Sequence, residues 1–271
     1  MHTHPESTET STEPSAGPST TLSIEQARQH LLVALDVPTL SDGLPLVEAL
    51  RDKVGGFKVG LELCTGEGVP HVVRVVSEVG GSVFLDLKLK DIPNTVAGAL
   101  RAIAATAGGG VRMITLHTDG GRAMLEAAVE AAHRAFPEAG HPPPLLLGVT
   151  VLTSIDDAAL AEEINIPHPA HEQVIHLARL AKAAGLNGVV ASPHEVAAIK
   201  QACGPTFLTV TPGIRPTWAG EGDQRRIMTP ADARRAGADY LVVGRPITQP
   251  PAAIGTPADA AQRILEELVD S

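Results

Sequence analysis

The sequence predicts a (β/α)8 barrel, and three observations carry that prediction. Eight short aliphatic or β-branched runs recur after residue 22, helix-like stretches alternate with them, and residues 23 to 271 are the right length. Barrels of this class typically take ~250 residues. A doubly wound open sheet would usually show fewer strands and, for a dinucleotide, an early Gly-rich fingerprint. The "GGG" at 108–110 ends a helical stretch rather than opening one, so it reads as a helix stop.

The elements follow in order. Ser23 can cap a short helix, with Gln26 three positions on. "LLVALDV" (31–37) is the first strand and "GLPLVEALRDKV" (43–54) the first long helix. "GFKVG" (56–60) precedes "HVVRVVSEVG" (71–80), and "SVFLDLK" (82–88) precedes "TVAGALRAIAATAGGG" (95–110). "VRMITLH" (111–117) leads to "GRAMLEAAVEAAHRA" (121–135), and "LLLGVTVL" (145–152) to "EQVIHLARLAKAAG" (172–185). The last strands are "GVVAS" (188–192), "TFLTVTP" (206–212) and "DYLVVG" (239–244). "TPADARRAGA" (229–238) separates the final pair, and "PADAAQRILEELVD" (257–270) closes the chain.

Composition narrows the function. Hydrophobic residues make up 44% and aromatics only 2%, so the core must be aliphatic. A net charge of −10 argues against a nucleic-acid or anionic-membrane surface, although a local Lys/Arg cluster can still receive an anionic small molecule. Cys64 and Cys203 lie far apart, which excludes a disulfide framework and fits a reducing cytoplasm. No apolar run approaches the ~20 residues of a membrane span. Residues 1–22 are rich in Ser, Thr, Glu and Pro and cannot offset their ordering entropy. They are expected to be a disordered tail without catalytic role, and they lack the pattern of a secretory signal.

The third strand points to the site. In "VFLDLKLKDIPNTV" (83–96), Val83, Leu85, Leu87 and Leu89 share one face, while Phe84, Asp86, Lys88 and Lys90 share the other. In a barrel the apolar face meets helices, so Asp86 and Lys88 point inward near the strand's C-terminal end. Active sites of this fold sit at that end. Other strand ends carry Asp36, Lys58, His117, Thr153 and Ser154, then "TPGIRP" (211–216) and "GRPI" (244–247). Lys58, Asp86, Lys88 and Asp91 make two cations and two anions, which can neutralise each other in a poorly solvated pocket. An ion-pair network that only braces the barrel is the plainer reading. Gly213 and Gly244 allow close backbone approach, and Arg215 and Arg245 offer forked donors to an oxyanion. Loops after strands seven and eight are the usual phosphate site of this fold, so the substrate is expected to be a phosphate monoester.

Segment 86–95, "DLKLKDIPNT", resembles the Asp-x-Lys-x-x-Asp-Ile-x-Asn-Thr signature of the orotidine 5′-monophosphate decarboxylases. The resemblance runs through "LDV" (35–37), "FKVG" (57–60), "VLTS" (151–154), "TPGIRP", "GDQRRIMTP" (222–230) and "GADYLVVGRPIT" (237–248). It implies a cofactor-free cytoplasmic homodimer that binds no metal and makes uridine 5′-monophosphate for pyrimidine biosynthesis. Lys88 would protonate pyrimidine C6, Asp86 would lie beside the substrate carboxylate, and Lys58 and Asp91 would complete the array. Asp36 would bind the ribose and Thr153 the pyrimidine. Asp91 and Thr95 would come from the partner subunit, and Ile92 would join the substrate contacts. Gln224, Arg245 and the Gly244 amide would hold phosphate, with Arg215 beside them.

Two rivals remain at this level. A Mg-dependent sugar-phosphate decarboxylase of the same superfamily would want acidic ligands, and Lys58 stands where a second one would help. A silent barrel that senses nucleotides would not need all four charges. The loop 216–223 is expected to form a lid, with Trp218 either packed in it or on the surface. His168, His171 and His176 are spaced by three and five and do not share one helical face, so they are expected at the surface rather than on zinc. His117 is expected either near the site or in a structural hydrogen bond, and the two cysteines in packing.

Overall fold

The structure, a computed structural model, describes residues 22–220 and 227–271. The expected tail lies outside the described residues except for Leu22, which packs against the core. Eight strands form the barrel: β1 (Leu31–Leu35), β2 (Gly56–Val59), β3 (Val83–Leu89), β4 (Val111–His117), β5 (Leu145–Val149), β6 (Gly188–Val190), β7 (Leu208–Thr211) and β8 (Tyr240–Val243). They pair in parallel and in chain order, and β1 closes on β8.

The first six helices are α1 (Ile24–His30), α2 (Leu40–Leu50), α3 (Leu61–Glu67), α4 (Val69–Glu78), α5 (Pro93–Ala107) and α6 (Arg122–Glu138). Then come α7 (Asp157–Glu162), α8 (Ala170–Ala183), α9 (Val196–Cys203), α10 (Pro230–Arg235), α11 (Arg245–Thr248) and α12 (Pro257–Val269). Ser23 caps α1 in the expected reciprocal pairing with Gln26. Thr39 caps α2 through the Asp42 amide, so that helix starts three residues before the expected Gly43. The glycines at 108–110 end α5 in a 3-10 turn that feeds β4. Helices α3, α7, α9 and α11 have no counterpart in the sequence reading; all have eight residues or fewer, too few turns for periodicity to show.

Two apolar clusters separate cleanly. The larger lies between strands and helices and takes Leu31, Val33 and Leu35 from β1 and Val83 and Leu85 from β3. The smaller fills the barrel interior with Leu32, Ala34, Phe84, Met113, Leu147, Val210 and Val242. Each of these side chains larger than alanine is worth about 1.5–3 kcal/mol on full burial, so the interior is a packed plug rather than a pore. Asp86 and Lys88 follow Phe84 on the same face of β3 and stand on that plug, as expected. Among the described residues no helix is long and apolar enough to cross a membrane.

Candidate active site

The inward face of β3 meets Lys58 of β2 at the C-terminal mouth. Lys88 Nζ donates to Asp86 Oδ2 at 2.8 Å, and Lys58 Nζ lies 3.6 Å from the same oxygen and 3.0 Å from Asp36 Oδ1. The side chains of Lys58 and Asp86 are only 14% and 13% exposed, so each ion depends on the other for solvation. Burial by itself pushes the Asp86 carboxyl up. Lys58 and Lys88, with hydrogen bonds from Lys88 and Thr115, outweigh it and hold the group below the usual carboxylate range. Asp86 is therefore anionic at neutral pH.

The backbone here is irregular. Pairing with β4 runs from Leu85↔Ile114 directly to Leu89↔Leu116, so Asp86, Leu87 and Lys88 face the single residue Thr115. Lys88 takes up the excess with φ 50°, a left-handed conformation seldom adopted by a residue with a Cβ. Thr115, fully buried, accepts from the Lys88 N–H at 2.8 Å and donates to Asp86 Oδ1 at 3.0 Å. Sequence reasoning passed over Thr115. Its signal was a lone hydroxyl between Met113 and His117 on the inward face of the neighbouring strand.

Two connected cavities open onto these charges. One of about 250 Å³ is lined by Asp86, Lys88, Phe84, Val149, Val190 and Thr153, among others. The other, about 590 Å³, runs from Asp36 and Lys58 to Gly213, Arg215, Gly244 and Arg245. Asp36, Lys58, Pro212 and Val242 line both, so the two form one continuous cleft with charge at each end. Gly213 has φ 79°, which the turn out of β7 requires. At Gly244 a Cβ would meet only Ala34 Cβ, at 3.7 Å; the protein leaves it room, and a side chain there would project into the cleft instead. Arg215 Nε donates to the Gly220 carbonyl, which ties the loop leaving β7 to the cleft wall.

The structure brings together Asp36, Lys58, Asp86, Lys88, Thr153, Arg215, Gly244 and Arg245. Asp91 is not among them. It is exposed, its Oδ1 accepts from the Ile92 N–H at 2.7 Å, and among the described residues it joins no ion pair. Ile92 and Thr95 are also exposed, at the head of α5. Gln224 lies outside the described residues, as does the 221–223 part of the expected lid. Trp218 is partly buried against the core, with the Arg263 guanidinium 6.0 Å from its ring centre. His117 lines neither of the two cavities; its Nδ1 lies 3.5 Å from Asp119 Oδ1. Cys64 and Cys203 are buried and free, and burial pushes the Cys64 thiol up to about 11. His168 and His171 are exposed beside Glu172, and among the described residues no group of His, Cys, Asp and Glu is arranged to hold a metal.

Residues 29–264 match the family described as orotidine 5′-phosphate decarboxylase / HUMPS. The chain is 52% identical to an orotidine 5′-phosphate decarboxylase of Moorella thermoacetica over 242 residues, covering 89% of this chain and 93% of the relative. It is 53% identical to one of Syntrophotalea carbinolica over 243 residues, covering 90% and 96%. Among solved structures it superposes on an orotidine 5′-phosphate decarboxylase from Lactobacillus acidophilus with a TM-score of 0.76 at 38% identity, covering 88% and 98%.

Proposed function

The chain belongs to the orotidine 5′-phosphate decarboxylase / HUMPS family, and on that premise we propose that it converts orotidine 5′-monophosphate to uridine 5′-monophosphate and CO2 in pyrimidine biosynthesis. The observation that carries this reading is the Lys58–Asp86–Lys88 array, set against apolar walls at one end of a cleft whose other end holds Arg215 and Arg245. Loss of CO2 from C6 leaves an electron pair in the plane of the ring, with no π-system to receive it. The Lys88 ammonium stabilises that charge and then donates its proton to C6. Asp86 sits beside the departing carboxylate, and together with Lys58 it fixes Lys88 so that little reorganises at the moment of reaction. The apolar walls from Phe84, Val149 and Val190 strengthen every one of these interactions by excluding water.

The remaining roles follow the cleft. Asp36 binds the ribose and Thr153 the pyrimidine, while Arg245, the Gly244 amide and Gln224 hold the phosphate, with Arg215 adjacent. Binding that remote phosphate supplies free energy for the reacting end. Residues 23–271 act as one catalytic domain, and the two buried free cysteines support a cytoplasmic setting.

A homodimer completes the site. Ile92, 68% exposed, and Leu61, 57% exposed, are large apolar residues out in solvent, and Ile92 adjoins Asp91, which joins no ion pair among the described residues. A two-fold contact there covers both and delivers Asp91, Ile92 and Thr95 to the partner's cleft. Co-refolding Lys88→Ala with Asp91→Ala tests it. Half the randomly assembled dimers are mixed, each with one intact composite site, so about a quarter of all sites regain activity. Mixed dimers as inactive as either parent would place Asp91 within its own chain.

The reaction itself is tested by following loss of orotidine 5′-monophosphate absorbance with purified protein, with and without EDTA. Turnover unaffected by EDTA is expected. Activity that needs Mg2+ and a sugar phosphate, or tight nucleotide binding without turnover, would overturn the reading.

A further inference from the structure

We propose that Thr115 is the positioning residue of this site: its hydroxyl holds the Lys88 backbone in the left-handed bulge and orients the Asp86 carboxylate in the same stroke. The proposal rests on the decarboxylase reading for its kinetic consequences and on geometry alone for its structural ones.

Between Leu85 and Leu89, β3 carries two more residues than β4 offers partners. The excess breaks the ladder at Lys88, whose N–H would be left without a strand partner. Leaving a part-buried amide unpaired is destabilising. Non-glycine residues in the left-handed region are strained and persist only where surroundings hold them there. Thr115 Oγ1 stands in for the missing carbonyl at 2.8 Å. Accepting from Lys88 turns the hydroxyl proton away from that amide, and it goes to Asp86 Oδ1 at 3.0 Å. Asp86 Oδ2 is then the oxygen that faces Lys88 Nζ at 2.8 Å and Lys58 Nζ at 3.6 Å. One hydroxyl thus fixes both members of the reacting pair, and among the described residues no other side chain is hydrogen-bonded to both. Thr115 meets no open space itself, so it acts through Asp86 and Lys88 rather than on the substrate.

Thr115→Val keeps volume and β-branching and removes both hydrogen bonds, whereas Thr115→Ser keeps the hydroxyl. Misplacing a reacting group by about an ångström costs on the order of 100-fold in rate. Thr115→Val is expected to lose roughly that in kcat, with the inhibition constant of uridine 5′-monophosphate within about threefold of the parent, since the phosphate end is untouched. Thr115→Ser should recover most of the loss. Amide hydrogen exchange gives a readout independent of the reaction: in Thr115→Val it should rise in peptides covering 86–90 and stay unchanged around β6 to β8. Should the valine variant not accumulate folded, Thr115→Cys takes its place as a poorer donor of similar size. An unchanged kcat, a serine variant as slow as the valine one, or exchange rising throughout the barrel would overturn the proposal. If the parent does not act on orotidine 5′-monophosphate, the exchange comparison still decides it.

Discussion

The two ends of the barrel both carry charge, yet they use it in opposite ways. At the N-terminal end, Lys200 Nζ donates to the carbonyls of Pro205 at 3.0 Å and Phe207 at 2.9 Å and to Asp239 Oδ2 at 2.6 Å, using all three of its protons. Asp239 also accepts from the Thr209 amide and hydroxyl. Nearby, Arg112 donates to the Gly55 carbonyl and the Tyr240 hydroxyl. Lys200 is thereby saturated. At the C-terminal end, Lys88 has one partner among the described residues, sits on a left-handed backbone and faces a cavity. The difference teaches how to tell a brace from a site: both contain largely buried ion pairs, and among the described residues only the second leaves its lysine ammonium with donors to spare above a strained backbone.

Exchanging the fates of the two ends breaks or sharpens this contrast. Lys88→Ala removes the proton donor and the cation facing the carbanion, so kcat/KM should fall by about 10³-fold or more. Asp86 keeps Lys58 and Thr115, so the urea midpoint should barely move. Lys200→Met should do the reverse. Removing one partner from a buried pair costs about 3 kcal/mol or more, near 100-fold in the folding equilibrium, while kcat per folded molecule stays at the parent value. Unfolding curves and initial rates on both variants decide the matter. A Lys200→Met enzyme with intact stability but slow turnover would mean that the braced end reports to the chemistry.

A similar contrast holds within the cleft. Arg245 lies at the end remote from Lys88 and should act only through the phosphate. Arg245→Ala is expected to lower kcat/KM on the nucleotide roughly 100-fold and to leave the slow reaction of the phosphate-free nucleoside within about threefold. Equal losses on both substrates would give the guanidinium a part at the reacting end.

What the sequence discloses and what it hides divide along physical lines. Strand parity is local, so the alternation from Val83 to Leu89 suffices to place Asp86 and Lys88 inside. Strand ends are likewise local, which brought Lys58, Arg215 and Arg245 to one rim. Register is a property of two strands, and no single segment encodes it. The bulge opposite Thr115, the left-handed Lys88 and the double role of one hydroxyl all arise from the β3–β4 pairing. Short helices such as α3 and α11 escape for a related reason: tertiary contacts rather than their own periodicity define them. Asp91 was legible as a charge and not as a contact, because its single-chain surroundings leave it in solvent.

The smallest expected effect concerns His117, which belongs to the site's end of the barrel and behaves like the other. It ends β4 beside Asp119, itself 2.6 Å from Lys90, and its side chain is 22% exposed. Burial pushes its imidazole below the usual histidine value; Asp119 and Asp86 pull the other way, and Lys90 and Lys88 reinforce burial. The folded protein therefore prefers the neutral ring. Below the ordinary value near 6.5, the unfolded chain binds a proton that the folded one resists, so stability falls as pH drops through that window. His117→Gln removes this contribution. Urea unfolding at pH 7.5 and at pH 5 should show a smaller pH-dependent loss in the variant than in the parent, with kcat at pH 7.5 within about twofold because His117 lines neither cavity of the cleft. Equal pH-dependent losses would show that the ring titrates alike in both states. A large fall in kcat would instead move His117 from the brace to the reacting array.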